Sequence, residues 1–268
     1  MEVHHHPKVE NLRAGQAGKK FKEYFLEFLM IFLAVTLGFF AENIREKVTD
    51  HHKEREYMAG VVQDLKADTS ELAHAITGWS QSNAEVDSML TYLKKDLSPL
   101  TINVLYNLLN NNFFHFNLFK YDDKTIQELK SSGAFRLIRS KDITDSIMAF
   151  DADMKYILIM EQDIKGFMVD SKMMESKIFD FSQLNTNPSD YSQLHGNTSL
   201  LLNLQRLPEL QDKGVLLTTD KQTIAEYYNK LYTLHKLSVY HTYLFREGSR
   251  KGTMLLQQIQ KHYHLADE

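Results

Sequence analysis

Residues 25 to 46 read FLEFLMIFLAVTLGFFAENIRE, an apolar run with a carboxylate near its start. What this run is decides where the rest of the chain lives. From Phe28 to Ala41, fourteen residues, Thr36 is the one polar side chain. That is the length of a buried core helix, whereas a bilayer core asks for ~20 residues. Crossing Glu27 takes the run back to Tyr24 and to eighteen residues. At about 1.5 Å per residue that is roughly 27 Å, close to the hydrocarbon thickness. Phe21, Tyr24 and Phe25 stand at one end and Phe39 and Phe40 at the other, as interfacial belts do. Beyond them the chain turns charged at once, KKFKE before and ENIREK after. The run is apolar all round rather than along one stripe, which suits lipid or a deep core. No other segment is as apolar, and a core helix needs apolar partners. The sequence therefore predicts a transmembrane helix over 23–42.

Glu27 then lies one turn inside the boundary. It either reaches the headgroups or faces another helix, since ionisable residues within spans find protein partners. Ala34 and Gly38 form a small-xxx-small pair, which lets two helix backbones approach closely. Glu27, Ala34 and Gly38 are the candidate membrane-helix contacts, and self-association through the span is expected from them. Phe39, two residues before Ala41, is unlike a cleavage site, so the span reads as an uncleaved signal anchor. Lys8, Arg13, Lys19, Lys20 and Lys22 precede it, and Arg45, Lys47, Lys53 and Arg55 follow. That slight excess favours a cytoplasmic tail over 1–22 and a helical extramembrane domain over 43–268, in the periplasm. The absence of cysteine rules out a disulfide framework. A net charge of −4 and a pI near 6.3 argue against a nucleic-acid binder.

The region after Glu42 reads as helical. Met58, Val62, Leu65, Thr69, Leu72, Ile76 and Trp79 recur at three- and four-residue steps, and Val86, Leu90 and Leu93 resume the stripe. This is one long helix out of the membrane, with Gly60 and Gly78 as weak points. Ser98-Pro99 supplies a cap and a first-turn proline for a helix through TINVLYNLLN. NNNFFHFNLFKYDD interrupts it, Asp122 or Asp123 opens a short helix, and Gly133 closes that helix. Ser140 caps a helix of about forty residues. Its apolar seam is Ile143, Ile147, Phe150, Met154, Ile157, Met160, Ile164, Phe167, Met174 and Ile178. A loop rich in Asn, Ser, Pro and Gly follows, then a short apolar element ending at Pro208. Thr219 and Gln222 form a capping box. The last helix runs through Ile224, Tyr227, Tyr228, Leu231, Leu234, Leu237, Leu244 and Phe245, with Gly248 and Gly252 placed to break or bend it. No strand alternation of useful length occurs. The fold class is all-α: one transmembrane helix followed by an antiparallel bundle of long amphipathic helices.

Chemistry is scarce. There is no P-loop, no dinucleotide-type glycine cluster, no G-x-S-x-G and no H-E-x-x-H. His4 to His6 lie on a tail that makes no fixed coordination site. His51-His52 among Asp50, Glu54 and Glu56 reads as a solvated juxtamembrane face. His262 and His264 stand two apart and point to different sides of a helix. Asp145, Asp151, Asp153, Glu161 and Asp163 read as a polar face, and Arg136 and Arg139 as salt-bridge formers. No catalytic, cofactor-binding or metal residue is expected, and no enzyme.

EFLMIFLAVTLGFFAENIRE with EREYMAGVVQDLKADTSEL after it, and YDDKTIQELKSSGAFRLIRSKDITDSI, resemble a family of uncharacterised single-span proteins of Bacteroidota. The matching positions are Glu27, Ala34, Gly38 and Glu46 around the span, and Glu128 to Gly133 in an ELKSSG-like turn. The aromatic that the pattern carries just past the span is absent here. The resemblance covers the first 80 residues and roughly 120 to 150. It implies a Gram-negative envelope protein and brings no activity or ligand. The expected function is a non-catalytic inner-membrane protein whose helical bundle binds a protein partner or scaffolds an assembly, with membrane lipid as its other contact. The alternative is a sensor-like module signalling through a separate partner, and a weaker one a hydrolase built from distant carboxylates.

Overall fold

The computed structural model describes residues 12–112, 118–183 and 214–265, with side chains for 21–109, 118–183 and 214–265. It is all-α. Five helices are described: α1 (Leu12–Tyr92), α2 (Pro99–Asn112), α3 (Lys124–Ser131), α4 (Lys141–Ile178) and α5 (Lys221–Tyr263). Short 3-10 turns cover Ala134–Leu137 and Phe181–Gln183. The loop through Asn197 and the element ending at Pro208 lie outside the described residues. The chain divides between Glu56 and Tyr57 into two compact units.

Within the first unit, α1 is already helical from Leu12, ahead of the apolar run. Thr36, the polar residue of that run, donates its hydroxyl to the Phe32 carbonyl at 2.7 Å. Bonding back into its own helix is how a hydroxyl is satisfied where water is absent. Past the run, the Arg45 guanidinium binds the Glu42 carboxylate one turn back.

The second unit is built on three long helices and one broken rail. The contacts of α1 with α5 fix their directions: Thr69 meets Gly252, Leu72 meets Gly248, Trp79 packs on Phe245, and Met89 accepts from the Tyr227 hydroxyl. Ascending numbers on α1 meet descending numbers on α5, so the two are antiparallel. On α4, Phe150 meets Gly252, Met154 meets Gly248, and Glu175 accepts from Tyr227, so α4 too is antiparallel to α5. The chain between α1 and α4 comes back down in pieces. Tyr106 of α2 packs on Phe179, Phe119 bonds Glu161, Asp122 bonds Asp68, and Glu128 of α3 accepts from Tyr57. The topology is up, down, up, down, and the second passage includes α2, the non-helical residues 118–123 and α3. The core runs along the bundle from Met58, Val61 and Ile259 at one end to Met89 and Tyr227 at the other.

Sequence signals set most of these elements. Pro99 stands at the first position of α2, and Ser98 Oγ accepts from the Thr101 N–H at 3.3 Å. Ser140 caps α4 by accepting from the Ile143 N–H at 3.4 Å. Gly133 takes φ 67° just after α3, a conformation that favours glycine.

Several expectations are corrected. Neither Gly60 nor Gly78 interrupts α1, and α5 passes unbroken through Gly248 and Gly252. These two glycines are contact points. A Cβ on Gly248 would come within 2.6 Å of Met154 Cε, and one on Gly252 within 3.0 Å of both Phe150 and Thr69. A missing side chain lets the helices approach more closely than any other residue allows. The cap of α5 is Asp220 rather than Thr219: its Oδ2 accepts from both the N–H and the hydroxyl of Thr223, each at 2.8 Å. A carboxylate that takes two donors outbids a threonine one residue earlier. Phe167 of the expected seam is 42% exposed, and Met160 is half-buried. Asp151 and Glu161, read as part of a polar face, are instead buried.

Candidate functional site

The sequence places Glu27, Ala34 and Gly38 seven and eleven residues apart, which at 3.6 per turn is one stripe of the helix. All three are exposed, and a Cβ on Gly38 would meet nothing within 4 Å. The structure therefore brings the three candidates onto one side of α1 and packs none of them. Their neighbours are equally bare: Phe28, Ile31, Phe32, Leu37 and Phe39 are more than half exposed. Among the described residues α1 is the one helix long and apolar enough to cross a membrane, and none of its apolar window is buried. An exposed apolar surface on this scale marks an interface with lipid or protein.

The second concentration of unusual groups is a line of buried carboxylates on α1 and α4. It exists because the second passage of the bundle is broken. A non-helical stretch inside a bundle leaves backbone N–H groups that no helix satisfies, and each needs an acceptor. Asp68 accepts from the Asp122 N–H at 2.8 Å, Asp64 from the Thr125 N–H at 2.9 Å, and Glu161 from the Phe119 N–H at 3.3 Å. Asp64 thus caps α3 from a different helix, while Asp123, at the capping position, makes no side-chain bond there. Asp151 takes the Tyr121 hydroxyl at 3.2 Å, the Lys155 ammonium at 2.9 Å and that of Lys130.

Burial and these partners set the charge states. Asp68 is raised to about 7, chiefly by burial, with the Asp122 N–H opposing and the nearby Asp122, Asp64 and Asp123 carboxylates adding to the rise. Burial also raises Glu161, with the Phe119 N–H and Lys165 opposing. At Asp151 burial acts upward too, but hydrogen bonds from Lys130 and Lys155 outweigh it and hold the carboxyl below its usual range. Every carboxylate of this line is thus engaged in holding chain to chain. Among the described residues no group of three or more His, Asp or Glu side chains is disposed to hold a metal ion.

Sequence reading missed a polar level in the core between α1 and α5. Ser238 donates to Asn83, whose amide donates to Thr242 at 2.9 Å. Beside them His241 is fully buried, with its ring centroid 4.7 Å from that of Trp79 and 4.4 Å from that of Phe245. Neither of its nitrogens finds a hydrogen-bond partner among the described residues, and burial alone lowers it to about 4. Serine, histidine and threonine on the stripe that continues Leu231 and Leu234 were the available signal. His51 and His52 are exposed, with His51 3.3 Å from Glu54.

A cleft of about 510 Å³ opens beyond the last turn of α1, against the first turns of α5. Leu93, Leu97, Ile224, Ala225 and Tyr228 form its apolar wall, and Lys94, Lys95 and Lys221 stand around it. Comparison of the chain with protein-family models, with curated proteins and with solved structures finds no match.

Proposed function

We propose that this chain is a membrane-anchored helical interaction protein of the bacterial envelope, without catalytic chemistry. In this reading the apolar part of α1 crosses the inner membrane as a signal anchor. The tail over 1–22 is cytoplasmic, and the helical domain is periplasmic. The bundle then presents an amphipathic helical surface to a protein partner or an assembly. The observation that carries it is the contrast along α1. From Met58 onward this helix supplies much of a packed core, whereas the apolar window before it is wholly unburied. A soluble protein seldom leaves so much contiguous apolar surface in water. Buried carboxylates fully engaged with backbone and lysines support a structural rather than a hydrolytic role for those groups. The resemblance to single-span proteins of Bacteroidota supports the envelope assignment.

The span is also proposed to self-associate through the Glu27–Ala34–Gly38 stripe. The chain has no native cysteine, so an introduced thiol is unique. In native membranes Gly38→Cys is expected to give oxidative dimers, and Thr36→Cys, on the opposite side of the helix, is not. Equal yields from both positions refute pairing through this stripe. The anchor and its orientation are tested by carbonate extraction and by reporter fusions after residues 22 and 268. Resistance to extraction with the C-terminal reporter active only outside the cytoplasm supports the reading. Release into the soluble fraction refutes the anchor, and a cytoplasmic C-terminus refutes the orientation.

The cleft at the end of α1 favours a second reading, a sensor-like module whose output a separate partner carries. A ligand seated between the end of α1 and the start of α5 touches the two helices whose relative shift would carry a signal.

A further inference from the structure

We infer that this cleft is a binding site for a small organic anion, a phosphate or carboxylate carried on an apolar body. Its volume falls within the range of small-molecule sites, about 300–1,000 Å³, at about 510 Å³. Its composition divides as such sites do, an apolar wall and a few polar groups. Leu93, Ile224 and Tyr228 are buried or half-buried, so the wall belongs to the packed body of the bundle. The charge around it is one-sided. Lys94, Lys95 and Lys221 stand against a single lining carboxylate, Asp96.

Among the described residues none of these three lysines forms an ion pair, as Lys120, Lys141 and Lys236 also do not. Several other lysines of the bundle do meet carboxylates: Lys124 with Asp122, Lys130 and Lys155 with Asp151, Lys230 with Asp170, Lys251 with Asp153. Lys94 instead lies 5.3 Å from the centroid of the Tyr228 ring, and Lys95 lies 3.8 Å from that of Tyr92. Lys221 has no carboxylate within pairing distance among the described residues. It is the first residue of α5, whose positive dipole end adds to the same field. The nearby Asp220 carboxylate, which accepts from the Thr223 N–H and hydroxyl at the same helix end, offsets part of that field. Among the described residues three lysines thus line an apolar cleft against one lining carboxylate, Asp96. An anion completes them, and an apolar body covers Leu93, Ile224 and Tyr228.

The test uses the full-length chain in neutral maltoside micelles and 1-naphthyl phosphate as probe, read by equilibrium dialysis against empty micelles. Saturable binding at one site is expected. A charge-assisted contact is worth about tenfold in affinity, so the Lys94→Ala/Lys221→Ala variant should lose at least about tenfold. Ala225→Trp, which fills the cleft without touching its charge, should also weaken binding. Lys251→Ala, which breaks an ion pair elsewhere on the bundle, should not. Inorganic phosphate should bind at least about tenfold more weakly than the naphthyl ester. Uptake no greater than that of empty micelles overturns the inference, and so does undiminished binding by the double-lysine variant. Equal affinity for inorganic phosphate removes the role of the apolar wall and overturns it as well. None of these outcomes depends on the anchor or its orientation.

Discussion

His241 and Asp68 are both buried and titratable, and burial moves them in opposite directions. The imidazole has its ordinary value near 6.5 and falls to about 4 in the fold. Between those values the unfolded chain holds a proton that the folded chain does not, so His241 makes stability fall as pH falls. The Asp68 carboxyl has its ordinary value near 3.8 and rises to about 7. Across that window the folded chain holds the extra proton, so Asp68 makes stability rise as pH falls. At 1.36 kcal/mol per pH unit the effects are on the order of 3 kcal/mol for His241 and 4 kcal/mol for Asp68, and over pH 4 to 6.5 they oppose. Single substitutions should unmask them. His241→Phe is expected to leave a protein that gains stability on acidification relative to wild type. Asp68→Asn, which keeps an acceptor for the Asp122 N–H, is expected to leave one that loses it. Thermal unfolding at half-unit pH steps measures both, and variants whose profiles parallel the wild type refute the assignment.

At the scale of elements, the bundle depends on two devices that a helical pattern does not display. One is the cap that Asp64 lends to α3. Asp64→Ala removes the acceptor of the Thr125 N–H and should cost about 1–3 kcal/mol. Asp64→Asn, which still accepts, should recover most of that in chemical denaturation. The other is the glycine approach of α5. Alanine in place of helical glycine gains about 1 kcal/mol in propensity, so the sign turns on whether the facing atom can move. Gly248→Ala meets the flexible end of Met154 and is expected to stay within about 1 kcal/mol of wild type. Gly252→Val presses on the Phe150 ring and the Thr69 methyl and should destabilise by about 1–3 kcal/mol. These devices mark the limit of what the residues told in advance. Helix existence, the Ser98 and Ser140 caps and most of the apolar stripes were legible, because period and capping act within a few residues. The role of Asp64, Asp68, Asp151 and Glu161 was not, because a carboxylate spaced like a polar face looks the same whether it meets water or a broken neighbouring chain. For the same reason glycine in a helical pattern reads as a breaker until the partner helix is known. Of the proposed sites, the unburied span stood out at once. The cleft, assembled from residues more than a hundred apart, did not.

At the scale of the whole molecule, one helix carries both an unburied apolar window and part of a packed core. From Met58 to Leu93 the buried side chains of α1 and its last turns, among them Leu65, Leu72, Trp79 and Met89, are part of the bundle core. Phe21 to Phe40 contribute no buried side chain. If the first segment is solvated by lipid and the second by its own bundle, their folding energetics separate, and the bundle should survive loss of the span. A chain starting at Asp50 keeps two helical turns ahead of Met58, so the first core residue does not sit at a frayed end. This chain is expected to be soluble without detergent, to show strong helical circular dichroism and to melt in one cooperative transition. The full-length chain is expected to need detergent or lipid, because among the described residues nothing covers its apolar window. A truncated chain that aggregates or melts without cooperativity would mean that the apolar helix is a missing core element, covered by protein instead of lipid. That outcome would undo the membrane reading at its base, since the unburied surface on α1 is the observation on which it stands.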